Sequence, residues 1–322
     1  MEKPFLSFVI ATYNRADAVV KSIESCLNQT DPDLEVIVID DGSNDNTVYK
    51  LTEKYEGNPR IRIIESSRNQ GAFVARNKGL KASAGEYCLI WDSDDILYPE
   101  TVSEFKNFVR AHTNAALVYA PATFYRNGEA LDIKPRETSD VSYDEVLRNI
   151  LPHNDVVIAI RGDLARQTEF LGPNIDFTYY NIIAKKILDA DAKIYHLNKI
   201  LGEVYMESDT ISESITRKVP NVNKSIARVP GTVYFLSFMG EDVKRNNRTR
   251  YFGIVYGLII GLILKGEKSL ARRYSKEYFT EFAKNIQGLS LYILSYLPFS
   301  LSIMKLLISF SKPKSSTVMI IA

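Results

Sequence analysis

The chain has 322 residues, with 40 Lys and Arg set against 39 Asp and Glu for a formal net charge of +1. That balance excludes a nucleic-acid binder that works through bulk positive charge, while 45% hydrophobic and 25% charged residues are the proportions of a globular protein. The length suits one large domain, or a domain with an appendage. The two cysteines, Cys26 and Cys88, show neither metal spacing nor a disulfide framework, and both fall in apolar patterns. They read as buried, reduced thiols of a cytosolic protein. The opening "MEKPFLSFVIATYNR" places charge beside an apolar run too short for a signal peptide.

In chain order, "FLSFVIATY" (5–13) is a β-branched and aromatic run that predicts a buried strand. In "ADAVVKSIESCLNQT", Val19, Val20, Ile23, Cys26 and Leu27 recur at helical spacing. "LEVIVIDD" (34–41) predicts a second strand, continuous in Val and Ile as a sheet covered on both faces requires. A helix over "NTVYKLTEKY", a strand over "RIRIIES" (60–66), a helix from just after Gly71 and a strand over "YCLIWD" (87–92) complete the alternation. Strands alternating with helices predict an α/β fold with a mostly parallel central sheet and right-handed crossovers.

Such sheets bind ligands beyond the carboxyl ends of their strands. Here the first strand ends in "ATYNR", the second in "DDGSNDNT" and the fourth in "WDSDD". Alone, "DDGSNDNT" could be a solvated turn followed by a helix cap. Three polar clusters at equivalent strand ends converge on one sheet edge and argue for a site. Within it, Asp92, Asp94 and Asp95 crowd three carboxylates into four positions. Two such charges about 4 Å apart repel by about 4 kcal/mol at an effective dielectric of about 20, so a positive partner is expected. Oxygen-only donors suit Mg2+ or Mn2+ holding a diphosphate. Zinc would want His or Cys, and the three histidines, His112, His153 and His196, are widely spaced. With no Walker A loop and no G-x-G-x-x-G after a strand, a P-loop or dinucleotide fold is disfavoured. Asp40 and Asp41 are then candidate acceptors for a base or ribose.

"SFVIATYNRADAVVKSIESCLNQT", "LEVIVIDDGSNDNT", "NQGAFVARNKGLKASAGEYCLIWDSDD" and "YPE" together resemble glycosyltransferase family 2, over roughly residues 4 to 110. The resemblance implies a GT-A fold, a nucleotide-diphosphate-sugar donor (a UDP- or GDP-sugar), a divalent metal and transfer with inversion. It implies that Ala11, Thr12 and Tyr13 border the nucleotide base and that Asp41 contacts base or ribose. Asp92 and Asp94 match the two acids of the family's D-x-D motif, Asp94 as metal ligand and Asp92 facing ribose or sugar. Asp95 is left to shape the turn or the acceptor side.

A carboxylate base is needed to deprotonate the acceptor hydroxyl. The family's acidic pair at the start of a later helix is missing, and Tyr179 and Tyr180 stand about where it would fall. Asp176, before "FTYYNIIAKKILDADAKIY", is the first candidate and Asp155 the second; the alternative for Asp176 is a helix cap. The Tyr-Arg-x-His element common in the family lacks its Arg and His in "YMESDTIS". Arg76 and Asn77 are expected to support their loop, with a phosphate role as the alternative; Trp91 is expected to be core rather than a sugar platform, and His153 structural, with acceptor contact as its alternative.

"AALVYAPATFY" and "VVIAI" are expected to supply further strands of a catalytic domain over 1–215, with 1–110 as the donor half and 111–215 as the acceptor half. In the helical region 216–322, "FGIVYGLIIGLIL" (252–264) is only 13 residues long, short of the roughly 20 that span a bilayer. Basic residues flank it on both sides. "LSLYILSYLPFSLSIMKLLISF" (289–310) is long enough but holds Pro298, Lys305 and five serines. Interfacial or hairpin-like helices with basic residues at the headgroups are the expectation, with a buried helical appendage or dimer interface, or true spanning, as the alternatives. Together these readings predict a transferase at the inner face of the cell membrane that builds a surface glycan on a glycan or lipid-linked acceptor. The competing classes are a nucleotide-sugar-binding module without transfer activity and a nucleotidyltransferase. The latter should carry a Gly-rich basic loop after the first strand, where "ATYNRADA" stands instead.

Overall fold

The computed structural model describes residues 3–131, 137–142, 145, 157–167, 176–206 and 221–281. The chain divides into a unit of Met1–Ser212 and a second of Glu213–Ala322.

The first unit begins with the predicted alternation: β1 (Leu6–Thr12), α1 (Ala16–Leu27), β2 (Leu34–Asp40), α2 (Thr47–Tyr55), β3 (Ile61–Glu65), α3 (Ala72–Ala82) and β4 (Tyr87–Asp92). These four strands pair in parallel in the order β3-β2-β1-β4. Their continuous apolar runs follow from burial on both faces. Leu6, Phe8 and Ile10 of β1, with Val36 and Val38 of β2 and Leu89 and Trp91 of β4, pack into one core. The alternate residues Val9, Ile37, Ile39, Cys88 and Ile90 pack into a second core on the opposite face. Both cysteines are free and buried. Burial pushes both thiols above their ordinary pKa, so neither is an activated nucleophile.

Next come β5 (Ile96–Leu97), α4 (Thr101–Ala111), β6 (Ala115–Ala120), β7 (Thr123–Arg126), β8 (Glu129–Ala130), β9 (Ser139–Asp140) and β10 (Val157–Arg161). The unit continues through α5 (Gly162–Gln167), α6 (Asp176–Asp189), β11 (Lys193–His196) and β12 (Gly202–Met206). Beyond β4 the main sheet becomes mixed: β10 is antiparallel to both β4 and β6, β11 is parallel to β6, and β9 closes the edge antiparallel to β11. A second, four-stranded sheet runs β5-β12-β7-β8.

Two predicted elements divide. "AALVYAPATFY" is two strands, since Pro121, which has no N–H to donate to a ladder, separates β6 from β7 and the two enter different sheets. "FTYYNIIAKKILDADAKIY" holds α6 and then β11, with Asp191 in the left-handed region (φ 54°) at the break. Trp91 is core as expected, at 2% exposure, and its indole donates to the Asp95 carbonyl at 3.2 Å.

The described part of the second unit is helical: α7 (Asn221–Asn246, with Pro230 inside), α8 (Arg248–Lys265) and α9 (Lys268–Glu281). The Asn247 side chain caps α8 by accepting from the Arg250 N–H at 3.0 Å, and Gly266 ends the helix with φ 84°. Val255, Leu258, Ile259 and Leu262 of α8 are buried. The segment 252–264 is thus the middle of a capped, packed helix. No described helix is long and apolar enough to cross a membrane. The segment 289–310 lies outside the described residues.

Candidate active site at the carboxyl edge of the sheet

Strand register brings the three polar clusters together. Thr12 pairs with Asp40 across β1 and β2, and Ala11 pairs with Asp92 across β1 and β4. The loops beyond these ends are tied to one another. Asn14, in the left-handed region at φ 51°, donates its N–H to Ser43 Oγ (2.8 Å), and its side chain accepts from the Asn44 N–H (2.8 Å). The Arg15 N–H donates to Thr47 Oγ1 at 3.1 Å, and Asn44 Nδ2 lies 3.4 Å from the Tyr13 hydroxyl. Gly42 permits this closure: its φ is +76°, and a Cβ there would lie 2.5 Å from the Arg68 backbone.

The adjacent aspartates of β2 take different roles. Asp40, 1% exposed, accepts from the Gly42 and Ser43 N–H groups at 3.0 and 2.8 Å and from the Ser43 hydroxyl, so it builds the turn. The sequence did not foretell that role, and Oδ2, with one bond, keeps acceptor capacity. Asp41, 2% exposed, accepts from the Gln70 N–H (3.0 Å) and the Gly71 N–H (2.6 Å), holding the loop that opens α3. The Gln70 N–H also lies 3.1 Å from Oδ2, which takes the Gly71 bond too, so acceptor capacity beyond these bonds is left mainly on Oδ1. Thr12 Oγ1 is buried and has no hydrogen-bond partner among the described residues. A buried orphan hydroxyl at a strand end is a group that a ligand can satisfy.

The acidic turn is anchored from behind: Ser22 of α1 donates to the Asp92 carbonyl at 2.9 Å. Its carboxylates meet cations. Arg76 of α3 donates to Asp92 Oδ1 at 2.6 Å, and Arg15 pairs with Asp94. Arg76 therefore reaches the acidic turn and does not merely support its own loop. Asp95 points away, 6% exposed, and accepts the Tyr205 N–H at 3.2 Å. Burial pushes the Asp94 carboxyl above its usual range; the Arg15 guanidinium pulls it down and the Asp92 charge pushes it up. Burial and then the charges of Asp92 and Asp94 raise Asp95 further.

Burial and mutual repulsion raise the carboxyls of Asp94 and Asp95 despite the Arg15 guanidinium, and the donor set of the turn is oxygen only. Among the described residues, no group of three His, Cys, Asp or Glu side chains converges closely enough to hold a metal by itself. That combination fits Mg2+ or Mn2+, which take one or two carboxylates and complete their shell with phosphate oxygens and water. Asp94, with Asp92 beside it, would hold the ion.

Asp176 is the first residue of α6, the position expected of a residue opening that helix. Asp155 and His153 lie outside the described residues. Arg15 stands in the quoted "ATYNR" but carried no sequence argument of its own. Its place at the end of β1 is the signal that would have found it.

A site of stitched loops, an acidic turn and opposed arginines at the carboxyl edge of a mixed sheet defines a nucleotide-sugar transferase of the GT-A type. Residues 7–162 match the family model "Glycosyl transferase family 2", so the chain carries a domain of that family. Over 253 residues it is 27% identical to the putative teichuronic acid biosynthesis glycosyltransferase TuaG of Bacillus subtilis, covering 76% of this chain and 98% of that one. The fold is similar to that of S. aureus TarS 1–349 in complex with UDP-GlcNAc (TM-score 0.61, 19% identity, 90% of each chain). It is also similar to the mannosyltransferase PcManGT of Pyrobaculum calidifontis in complex with GDP-Man and Mn2+ (TM-score 0.54, 13% identity, 96% of this chain and 87% of that one).

Proposed function

We propose that this glycosyltransferase moves a sugar, with inversion, from a UDP- or GDP-sugar to an acceptor hydroxyl in surface-polysaccharide or lipid-linked glycan assembly. The observation that carries the reading is the register that sets Thr12 beside Asp40 and Ala11 beside Asp92, so that nucleotide-facing and acidic residues share one edge. Ala11, Thr12 and Tyr13 border the base, Thr12 offering its unpaired hydroxyl. Asp41 faces base or ribose and Asp92 faces ribose or sugar.

Asp94, with Asp92 beside it, would hold Mg2+ or Mn2+, and that ion would supply positive charge against the leaving diphosphate. Arg15 and Arg76 hold the acid turn before donor arrives, and both can turn their guanidiniums to phosphate oxygens. A carboxylate takes the acceptor proton while the hydroxyl oxygen bonds to the anomeric carbon and the bond to the diphosphate breaks. Asp176 is the first candidate for that base, from its place at the start of α6, and Asp155 the second.

Exposed Arg245, Arg248, Lys265 and Arg273, with exposed Tyr234 and Tyr256 in the same helical unit, support contact with an anionic membrane surface. That contact would place the enzyme peripherally on the inner face of the membrane, beside a lipid-linked acceptor. Co-sedimentation with phosphatidylglycerol vesicles, absent with phosphatidylcholine vesicles, tests it.

The reading as a whole is tested by nucleoside-diphosphate release from a panel of UDP- and GDP-sugars, with and without Mn2+. Metal-dependent release from one donor, abolished in Asp94→Ala, is the expected result. Release that is indifferent to metal and to Asp94 sinks it.

A further inference from the structure

The small sheet β5-β12-β7-β8 carries a cluster that the donor site does not use. In β12, Tyr205 pairs in register with Tyr125 of the parallel strand β7, so the two side chains share one face. Their rings stack with centroids 5.2 Å apart and planes 13° from parallel. Glu203, two residues before Tyr205 and therefore on the same face, accepts from the Tyr98 hydroxyl at 3.2 Å and from the Tyr205 hydroxyl. Three tyrosines and one carboxylate thus meet on one side of a four-stranded sheet.

Cross-strand aromatic pairs stabilise sheets, and that alone would account for two stacked rings. It does not account for the exposure. Tyr205 is 43% exposed, one of few large hydrophobic side chains on the surface of the first unit, and Glu203 is half-buried beside it. Nor does it account for the location. The Tyr205 N–H donates to Asp95, the residue after Asp94, and Glu203 pairs with Ile96 of β5 at the next step of the chain. The aromatic face therefore begins where the acidic turn ends.

We propose that Tyr125, Tyr205 and Glu203 form a saccharide-binding subsite for the acceptor, an inference that rests on the donor reading above. The chemistry is that of a sugar ring. Its C–H face is apolar and packs on an aromatic plane, while its hydroxyls donate to a carboxylate already fixed by two phenols. Tyr205 is a positioning residue. It holds the acceptor ring against the turn that holds the donor, and it touches no reacting atom. A second sugar-binding surface beside the donor is what growth of a glycan chain requires, since the acceptor hydroxyl must be presented while the donor is bound.

The test measures binding of the p-nitrophenyl glycosides of glucose, galactose, N-acetylglucosamine and glucuronic acid by saturation-transfer NMR. The full-length protein is used, with Mn2+ and either UDP or GDP present, and nucleotide affinity is measured by calorimetry on the same samples. One glycoside should bind the wild type saturably. Tyr205→Ala should weaken it by at least about tenfold, whereas Tyr205→Phe, which keeps the ring, should stay within about threefold. Nucleotide affinity should be unchanged in both variants, because the Tyr205 N–H that reaches Asp95 belongs to the backbone. Unchanged nucleotide affinity also shows that the variant is folded.

Equal glycoside binding by wild type and Tyr205→Ala overturns the subsite. So does the absence of glycoside binding in a wild type that binds nucleotide, or a parallel loss of nucleotide affinity in Tyr205→Ala. A wild type that binds no nucleotide counts against the donor reading instead, and the glycoside comparison still decides the subsite.

Discussion

The two halves of the first unit are built differently. From β1 to β4 the strands follow one another through single helices, pair in parallel and deliver their polar ends to one edge. From β5 to β12 the pairings join distant segments: β12 closes against β5 and β7, and the Asp95–Tyr205 contact spans 110 positions of sequence. In the function proposed above, the local half holds the donor. The woven half brings to the same turn groups that no short motif announces. A site of this kind is stable as a scaffold on one side and adaptable on the other, which is where enzymes on a common fold differ in acceptor.

That contrast can be broken, and the largest effect should fall on the local half. Asp94→Ala is expected to lower nucleoside-diphosphate release by about a thousandfold, about 4 kcal/mol of transition-state stabilisation, with the melting temperature unchanged or raised. Steady-state kinetics beside a thermal melt checks both parts. The rise in stability would reflect relief of crowded carboxylates, whose charge adds to burial in lifting the pKa of Asp95.

Gly42→Ala should come next, at the scaffold itself. It forces an L-residue to φ +76° with a Cβ 2.5 Å from the Arg68 backbone, which should destabilise by at least about 2 kcal/mol. Urea unfolding of the variant measures it, and an unchanged midpoint would mean that the loops are not stitched as described.

A smaller effect is expected from Arg76→Ala. The variant leaves Asp92 without its 2.6 Å partner and should cost about tenfold in turnover, about 1.4 kcal/mol, with little change in acceptor KM. A change confined to acceptor KM would transfer Arg76 to the woven half.

The smallest effect lies at Lys106 of α4, which donates to Asp31 at 2.9 Å and Asp33 at 2.7 Å. Burial raises the Asp31 carboxyl, but the hydrogen bond and charge of Lys106 outweigh it and hold the pKa below 3.8. Burial likewise lowers the Lys106 ammonium, while the two aspartates hold it above 10.5. The Asp31 contribution is therefore present above its unfolded pKa and is lost as pH falls through the depressed one. The Lys106 contribution is present below its unfolded pKa and is lost as pH rises through the raised one. Lys106→Met should cost about 1 kcal/mol at pH 7, and the difference from wild type should shrink in thermal melts taken at pH 3.

The same contrast explains how much could be read from the amino acids alone. Continuous Val and Ile in "LEVIVIDD" reveal a strand covered on both faces, and the acids after Ile39 and Trp91 reveal which edge is polar. Those signals are local and obey a strict period. Trp91 was legible as core for the same reason. The turn-building role of Asp40 was not legible because two adjacent carboxylates carry the same signal, and only the fold of the Gly42–Ser43 turn separates the one that builds it from the one facing α3. The division of "AALVYAPATFY" between two sheets turns on Pro121 and on partners far along the chain. Tyr205 opens the "YMESDTIS" segment noted for its missing Arg and His, but neither it nor Glu203 signalled a cluster with Tyr125, because what makes them notable is the strand opposite them.

The function proposed above has Asp94 hold the ion with the donor's phosphates completing its shell. Calorimetric titration of Mn2+ into the protein, alone and with UDP or GDP, tests it most directly. The account predicts that Mn2+ binds at least about tenfold more tightly with one of the two nucleotides present, and that Asp94→Ala removes the enhancement. Saturable Mn2+ binding of equal strength without nucleotide, or an enhancement that survives Asp94→Ala, would contradict it.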